Sequence, residues 1–153
     1  MRSLELLLPP PVIMLTTALI MWLLSVLFPT FNKDLTSSLI GAVIVGLIGL
    51  AIGLSGAISF LRAKTTLDPK RPGDASLLVT SGIYRFTRNP MYLGLLLMLA
   101  AWGMFLGNIL SLLFIIVFFF YIHRYQIQPE ERVLEEKFGT EFVLYKTKVR
   151  PWI

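Results

Sequence analysis

Leu78-Val79-Thr80-Ser81-Gly82-Ile83-Tyr84-Arg85-Phe86-Thr87-Arg88-Asn89-Pro90-Met91-Tyr92 is a polar, basic, turn-rich stretch set between long apolar runs, and it ends by opening one of them. Proline needs no amide partner in the first turn of a helix, and its fixed φ suits that turn, so Pro90 begins a helix that Asn89 is placed to cap. If that helix crosses a bilayer, its N-terminus stands at the membrane surface among Tyr84, Arg85, Arg88 and Tyr92. Outward-facing amides there suit a small anionic or zwitterionic ligand.

On either side of this stretch the chain is too apolar for a soluble domain. It has 153 residues, of which 56% are hydrophobic and 15% charged, with a mean hydropathy of +0.74. That balance predicts several membrane spans of about 20 residues each. The first runs over about 12–28, between Pro9-Pro10-Pro11 and Pro29, and the second over about 39–61. Gly49, Gly53 and Ala57 lie four apart in the second, a small-residue spacing that lets membrane helices approach closely. The third and fourth spans, about 90–106 and 108–124, form a hairpin about Gly107-Asn108, with Gly103 and Gly107 repeating the spacing. Loop 62–89 lies between the second and third spans, and a tail, 125–153, follows the fourth. In the tail, Leu134, Phe138, Phe142 and Tyr145 recur at helical spacing, which predicts an interfacial helical segment with one apolar face. Pro129 is expected to start it, and Gly139 to divide it with Thr140 as the next cap. The fold class is all-α: a polytopic membrane bundle of four transmembrane helices with a C-terminal interfacial tail, read as one domain over 1–153.

Four spans put both termini and loop 62–89 on one side. Only Lys33 of the 14 Lys and Arg residues lies opposite, so the positive-inside rule makes the crowded side cytoplasmic. In a bacterium this would be the inner membrane, in a eukaryote the endoplasmic reticulum. The net charge of +5 is thus a topology signal, and no nucleic-acid partner is implied. The absence of cysteine excludes disulfides, thiolate nucleophiles and zinc–cysteine sites, and the single histidine, His123, has no second histidine with which to hold a metal. Nothing in the sequence assigns an oligomeric state.

Two polar clusters fall on the cytoplasmic side: the stretch leading into Asn89-Pro90, and Glu130-Glu131 beyond the last span. Each has a structural meaning by itself. Glutamates in the first turn behind a proline stabilise the helix dipole, and Arg88 with Asn89 can be an anchor and a cap. The combination carries more. The Leu78 to Tyr84 string, Arg88-Asn89-Pro90-Met91-Tyr92, Glu130-Glu131, and Phe138-Gly139 with Tyr145-Lys146 resemble the isoprenylcysteine carboxyl methyltransferase and phospholipid methyltransferase superfamily. That superfamily carries a Gly-x-Tyr, an Arg-His-Pro-x-Tyr opening a span, a Glu-Glu pair and a Phe-Gly-x-x-Tyr tail. The resemblance covers the C-terminal half. It implies S-adenosylmethionine held by Leu77, Leu78, Val79, Tyr84, Arg88, Asn89, Pro90, Met91, Tyr92 and Glu130, with no metal.

Three positions depart from the pattern. Asn89 replaces the histidine, Phe142 replaces a tyrosine, and Gln126 falls where some carboxyl methyltransferases place an arginine. A carboxylate-holding role would therefore pass to Arg124 or Arg85, and Glu131 or Tyr125 is the candidate base for an amine. The implied reaction is methyl transfer to a lipidic, prenylated or otherwise membrane-partitioned acceptor. Carboxyl O-methylation of the isoprenylcysteine type is the first reading, and phospholipid or other amine N-methylation the second. A non-catalytic four-helix scaffold is a third, and a nicotinamide-dependent sterol reductase, whose chains have more spans, a fourth.

Overall fold

A computed structural model of the protein describes residues 5–32, 38–63 and 77–153, so Lys33 and the 64–76 part of the loop lie outside the described residues. The described residues form an all-helical membrane bundle: α1 (Pro10–Leu27), α2 (Ser38–Arg62), α3 (Pro90–Leu106), α4 (Ile109–Ile122), α5 (Gln128–Phe138) and α6 (Thr140–Lys148). Three helices, Pro10–Leu27, Leu39–Arg62 and Ile109–Phe138, are long and apolar enough to cross a membrane. Helix α3, with 17 residues, rises about 25 Å, near the lower limit for a span.

The apolar character of α1 to α4 faces outward as well as inward, as a bilayer requires. Leu15, Leu19, Ile40, Leu47, Val117 and Phe120 are all exposed. The mild polar residues of α1 are satisfied within the helix. Thr16 and Thr17 donate to the carbonyls of Val12 and Ile13, and Ser25 to that of Trp22, so no hydroxyl is stranded in hydrocarbon.

Helices α2 and α3 meet through glycine. A Cβ on Gly94 would stand 2.7 Å from the Gly49 carbonyl oxygen and 2.8 Å from the Gly53 Cα, so the backbones touch directly. The small-residue spacing at Gly49 and Gly53 is therefore a helix-packing device, as the sequence suggests. Gly94→Val is expected to force the helices apart and lower stability by about 1–3 kcal/mol. Unfolding in detergent measures this, and a variant as stable as the parent would contradict the packing account.

Gly107 has a different use. It terminates α3 in the left-handed conformation, φ 62°. Asn108 then caps α4 by accepting from the Ser111 amide at 3.1 Å, and its own amide donates to the Phe28 carbonyl and to Asn32. Ser111 donates to the Met21 carbonyl at 2.7 Å, and Trp102 to that of Ala18 at 3.0 Å. These bonds fasten α1 to the α3–α4 hairpin around a core of Met21, Leu99, Phe118 and Ile122.

Two expectations about the tail need correction. The helix of the fourth span does not stop near 124. The helix continues from Ile109 to Phe138 through a π-helical turn at His123–Ile127, where the Gln128 amide reaches back to the His123 carbonyl. Pro129 therefore starts no new helix and Glu130-Glu131 cap no free N-terminus. A π turn adds one residue and displaces backbone partners, which lets the chain accept a proline inside a helix. Further on, Gly139, at φ 52° and ψ −126°, both ends α5 and caps α6, and Thr140 is the first residue of α6. Only glycine adopts that conformation without strain. The apolar face of the tail is as expected: Leu134, Phe138, Phe142 and Tyr145 gather with Val149 and Leu78. It packs on the segment before α3.

Candidate functional site

The beginnings of α1 and α3 and the ends of α2 and α4 share one end of the bundle. Leu6 bonds to Tyr125 there, and Gly56 lies against Pro90. At this end the two sequence clusters meet. Tyr92, in the first turn of α3, donates its hydroxyl to the Glu130 carboxylate. Arg88, just before α3, donates to Glu131 through Nη2 at 2.6 Å and Nε at 3.0 Å. Both donors converge on the one oxygen Oε1, charge-assisted bonds that fix the guanidinium while Oε2 is left facing Lys146. The Arg88 and Glu131 side chains are 9% and 18% exposed, so most water is excluded from the pair.

The other Arg88 donors meet carbonyls of the tail. Nη1 donates to Lys146 O at 3.3 Å and to Val149 O, and the Arg88 amide donates to Arg150 O at 3.0 Å. Arg88 is thereby committed to holding the site together. Lys146 adds a second positive charge, 4.0 Å from Glu131 and 2.9 Å from Glu135.

Asn89 stands at the N-cap position, but its side chain caps nothing. Its amide donates instead to Pro151 O at 3.0 Å, and Thr87 donates its hydroxyl to the same carbonyl at 3.2 Å. The expected capping role is thus corrected, because a tertiary acceptor outcompetes the local one. The first-turn amides of α3 are left without a side-chain cap, next to a carboxylate and a phenol. The tail residues Val149, Arg150 and Pro151 were not legible as site components. They act through backbone carbonyls, which have no residue-type signature, and the Pro151-Trp152 pair is the only hint. Trp152 stacks on Phe119 with ring centroids 4.7 Å apart, and its indole nitrogen donates to His123 Nδ1 at 3.4 Å.

The remaining candidates are spread around this corner. Val79 is buried, Leu78 packs on the Phe142 cluster, and Leu77 is exposed. Tyr84 is buried on the turn Gly82–Arg85, its ring edge-on to Phe60, and its carbonyl accepts the Tyr145 hydroxyl at 2.7 Å. Burial, with Tyr145 and Glu130 adding to it, holds the Tyr84 phenol well above its ordinary value. Burial raises Tyr145 likewise, so both hydroxyls stay neutral. Arg85 is exposed on the same turn and enters no ion pair among the described residues. Arg124 is bonded to Gln128 at 3.0 Å and lies 3.9 Å from Glu5, and no contact joins it to the Tyr92–Glu130 pair. An apolar groove of about 310 Å³ runs alongside, lined by Pro10, Pro11, Gly49, Gly53, Met91 and Tyr92 among others. Tyr92 lines the groove and also contacts Glu130.

Fold and site together define a polytopic membrane protein with a charge-paired corner at one end of an apolar bundle. The chain belongs to the phospholipid methyltransferase family, whose model matches residues 37–141. An uncharacterised protein of Haemophilus influenzae is 52% identical over 63 residues, which is 41% of this chain and all of that protein. Protein-S-isoprenylcysteine O-methyltransferase of Schizosaccharomyces pombe is 36% identical over 73 residues, 48% of this chain and 31% of the yeast protein. The enzyme of that name from Saccharomyces cerevisiae is 36% identical over 76 residues, 48% of this chain and 30% of its own length. This chain therefore spans less than a third of either yeast enzyme in these matches. No solved structure matches it. Family membership and the apolar helices make it an integral membrane protein of a methyltransferase family.

Proposed function

We propose that the chain transfers a methyl group from S-adenosylmethionine to a lipidic or membrane-partitioned acceptor. The observation that carries this is the Tyr92–Glu130 contact beside the uncapped start of α3. A carboxylate with a single described hydrogen-bond partner keeps an oxygen for a cation, and the amides after Pro90 offer donors to an anion. An amino acid moiety presents both charges. Glu130 would hold its ammonium group and the Met91 and Tyr92 amides its carboxylate. Leu77 to Val79 and Tyr84 would supply apolar and aromatic walls for the rest. When bound, the donor supplies an electrophilic methyl on a sulfonium centre.

The chain's own part is alignment and exclusion of water. In-line displacement by a carboxylate needs no base, so orientation and desolvation are the effects to supply. The groove beside Tyr92 suits the hydrocarbon part of the acceptor, entering from the bilayer while the soluble donor arrives from the cytoplasmic side. With Arg88 committed to Glu131 and the tail, Arg85, exposed and in no ion pair among the described residues, is the first candidate for an acceptor carboxylate, and Arg124 the second. Carboxyl O-methylation of the isoprenylcysteine type is the first reading, supported by the names of the yeast relatives. Amine N-methylation, with Glu131 as base, is supported by the family's description.

Arg85→Ala is expected to lower turnover by about tenfold, the worth of one charge-assisted bond, while S-adenosylhomocysteine affinity stays unchanged. Arg124→Ala should also affect turnover more than affinity, and less strongly, since Glu5 and Gln128 already engage it. Loss of affinity alone in either variant would contradict these roles. The reaction itself is tested by incubating the purified chain with membranes and methyl-labelled donor, then extracting lipids. Label released as methanol by mild base identifies an ester, base-stable label an amine, and no label in the lipid extract overturns the proposal.

A further inference from the structure

The π turn at His123–Ile127 sits immediately before Glu130-Glu131, and the segment N-terminal to α1 is tied to it at three points. The Leu6 amide donates to Tyr125 O at 3.1 Å, the carbonyl that loses its helical partner because Pro129 has no N–H. Gln126, 1% exposed, donates through Nε2 to Leu8 O at 3.0 Å. Glu5 pairs with Arg132 and lies near Arg124, on either side of the turn. Leu6 adopts φ 55°, the one positive value for a non-glycine residue among the described residues, so the segment bends out of its way to deliver that amide.

The extra residue of a π turn rotates everything beyond it by about 100° relative to an uninterrupted α-helix. Here that rotation decides which side chains face α3. With the turn, Glu130 meets Tyr92 and Glu131 meets Arg88. Without it, Pro129 would stand opposite Tyr92, and Glu130 opposite Arg88. We infer that Gln126 is a positioning residue: by holding the segment before α1 against the π turn, it keeps the glutamate pair in the register that builds the Tyr92–Glu130 corner. Pro129 alone does not fix the register, because its ring needs only a relaxed turn, whereas the Gln126 and Leu6 bonds specify where the extra residue falls.

The functional meaning rests on the methyl-donor reading of the corner, but the register can be measured without any ligand. The chain has no cysteine, so a single engineered thiol is the only one present. In the full-length protein, Leu134→Cys, on the half-buried face of α5, and Lys137→Cys, on its exposed face, are labelled separately with a water-soluble maleimide, because a shift of one residue exchanges the exposure of the two positions. With Gln126 present, labelling at 137 is expected to exceed labelling at 134 by about tenfold, the factor a buried hydrogen bond of ordinary strength supports. Gln126→Met, which keeps the shape and removes the donor, is expected to abolish or reverse that preference. Gln126→Asn, too short to reach Leu8, should do the same. An unchanged preference in both folded variants overturns the inference. So does failure of both to fold, which would make Gln126 a requirement of the fold alone. Because no donor or acceptor enters the experiment, a negative result leaves the methyl-transfer proposal standing, and the converse also holds.

Discussion

Arg88→Ala is expected to destabilise the protein by about 3 kcal/mol and to remove S-adenosylhomocysteine binding. The magnitude follows from leaving a largely desolvated carboxylate without its partner, for which removal of one member of a buried pair costs about 3–5 kcal/mol. The lower end applies because Glu131 keeps some contact with water, at 18% exposure, and Lys146 stands 4.0 Å away as a partial substitute. The loss of binding has a separate origin. The Arg88 side chain joins α5, through Glu131, to the tail, through the carbonyls of Lys146 and Val149, and only its main-chain bond to Arg150 survives in the variant. Without the side chain, three pieces of the corner are freer to separate. Unfolding in detergent and calorimetric titration on the same sample measure the two effects. A variant of near-parental stability that binds as before would show that the pair is ornamental.

Glu130→Gln is expected to weaken S-adenosylhomocysteine binding by about 1.5–3 kcal/mol, or roughly 10- to 150-fold, the usual range for a charge-assisted hydrogen bond. The substitution keeps the size of the side chain and an oxygen to accept from Tyr92, so the fold should be little affected. What it removes is the negative charge that the carboxyl, raised by burial to about 8, takes up when an ammonium group is placed against it. Since Pro129 begins no free helix end, a dipole-stabilising role for Glu130 is already gone. Unchanged affinity in the glutamine variant would leave Glu130 as a packing partner of Tyr92 and nothing more.

The parts of the fold that follow from local chemistry were legible in the residues. Pro90 opens α3 as a proline at a first helical position should. Gly49 and Gly53 announce a close approach, and Gly94 is its other half. The apolar face of the tail follows from the spacing of Leu134, Phe138, Phe142 and Tyr145. Other features failed to show because distant parts of the chain decide them. Pro129 reads as a helix start, yet an amide near the other end of the chain, at Leu6, takes up the Tyr125 carbonyl that the proline abandons and lets the helix run on. Asn89 reads as a cap, yet Pro151 offers its side chain a better-placed acceptor. In both cases the competing partner is a backbone group, which no residue type advertises. The meeting of Arg88 and Tyr92 with Glu131 and Glu130 could be anticipated only as a pairing of two clusters on one side of a membrane. Which glutamate faces which partner is set by the π turn, and that turn depends on Gln126, Leu6 and Pro129 together.

The most direct measurement is calorimetric titration of the purified full-length chain, in detergent or a lipid nanodisc, with S-adenosylhomocysteine and separately with NADPH. The account predicts saturable binding of S-adenosylhomocysteine at one site per chain, weakened by Glu130→Gln, and no binding of NADPH. Binding of neither would contradict it and favour a helical scaffold, while binding of NADPH alone would move the site to reductase chemistry.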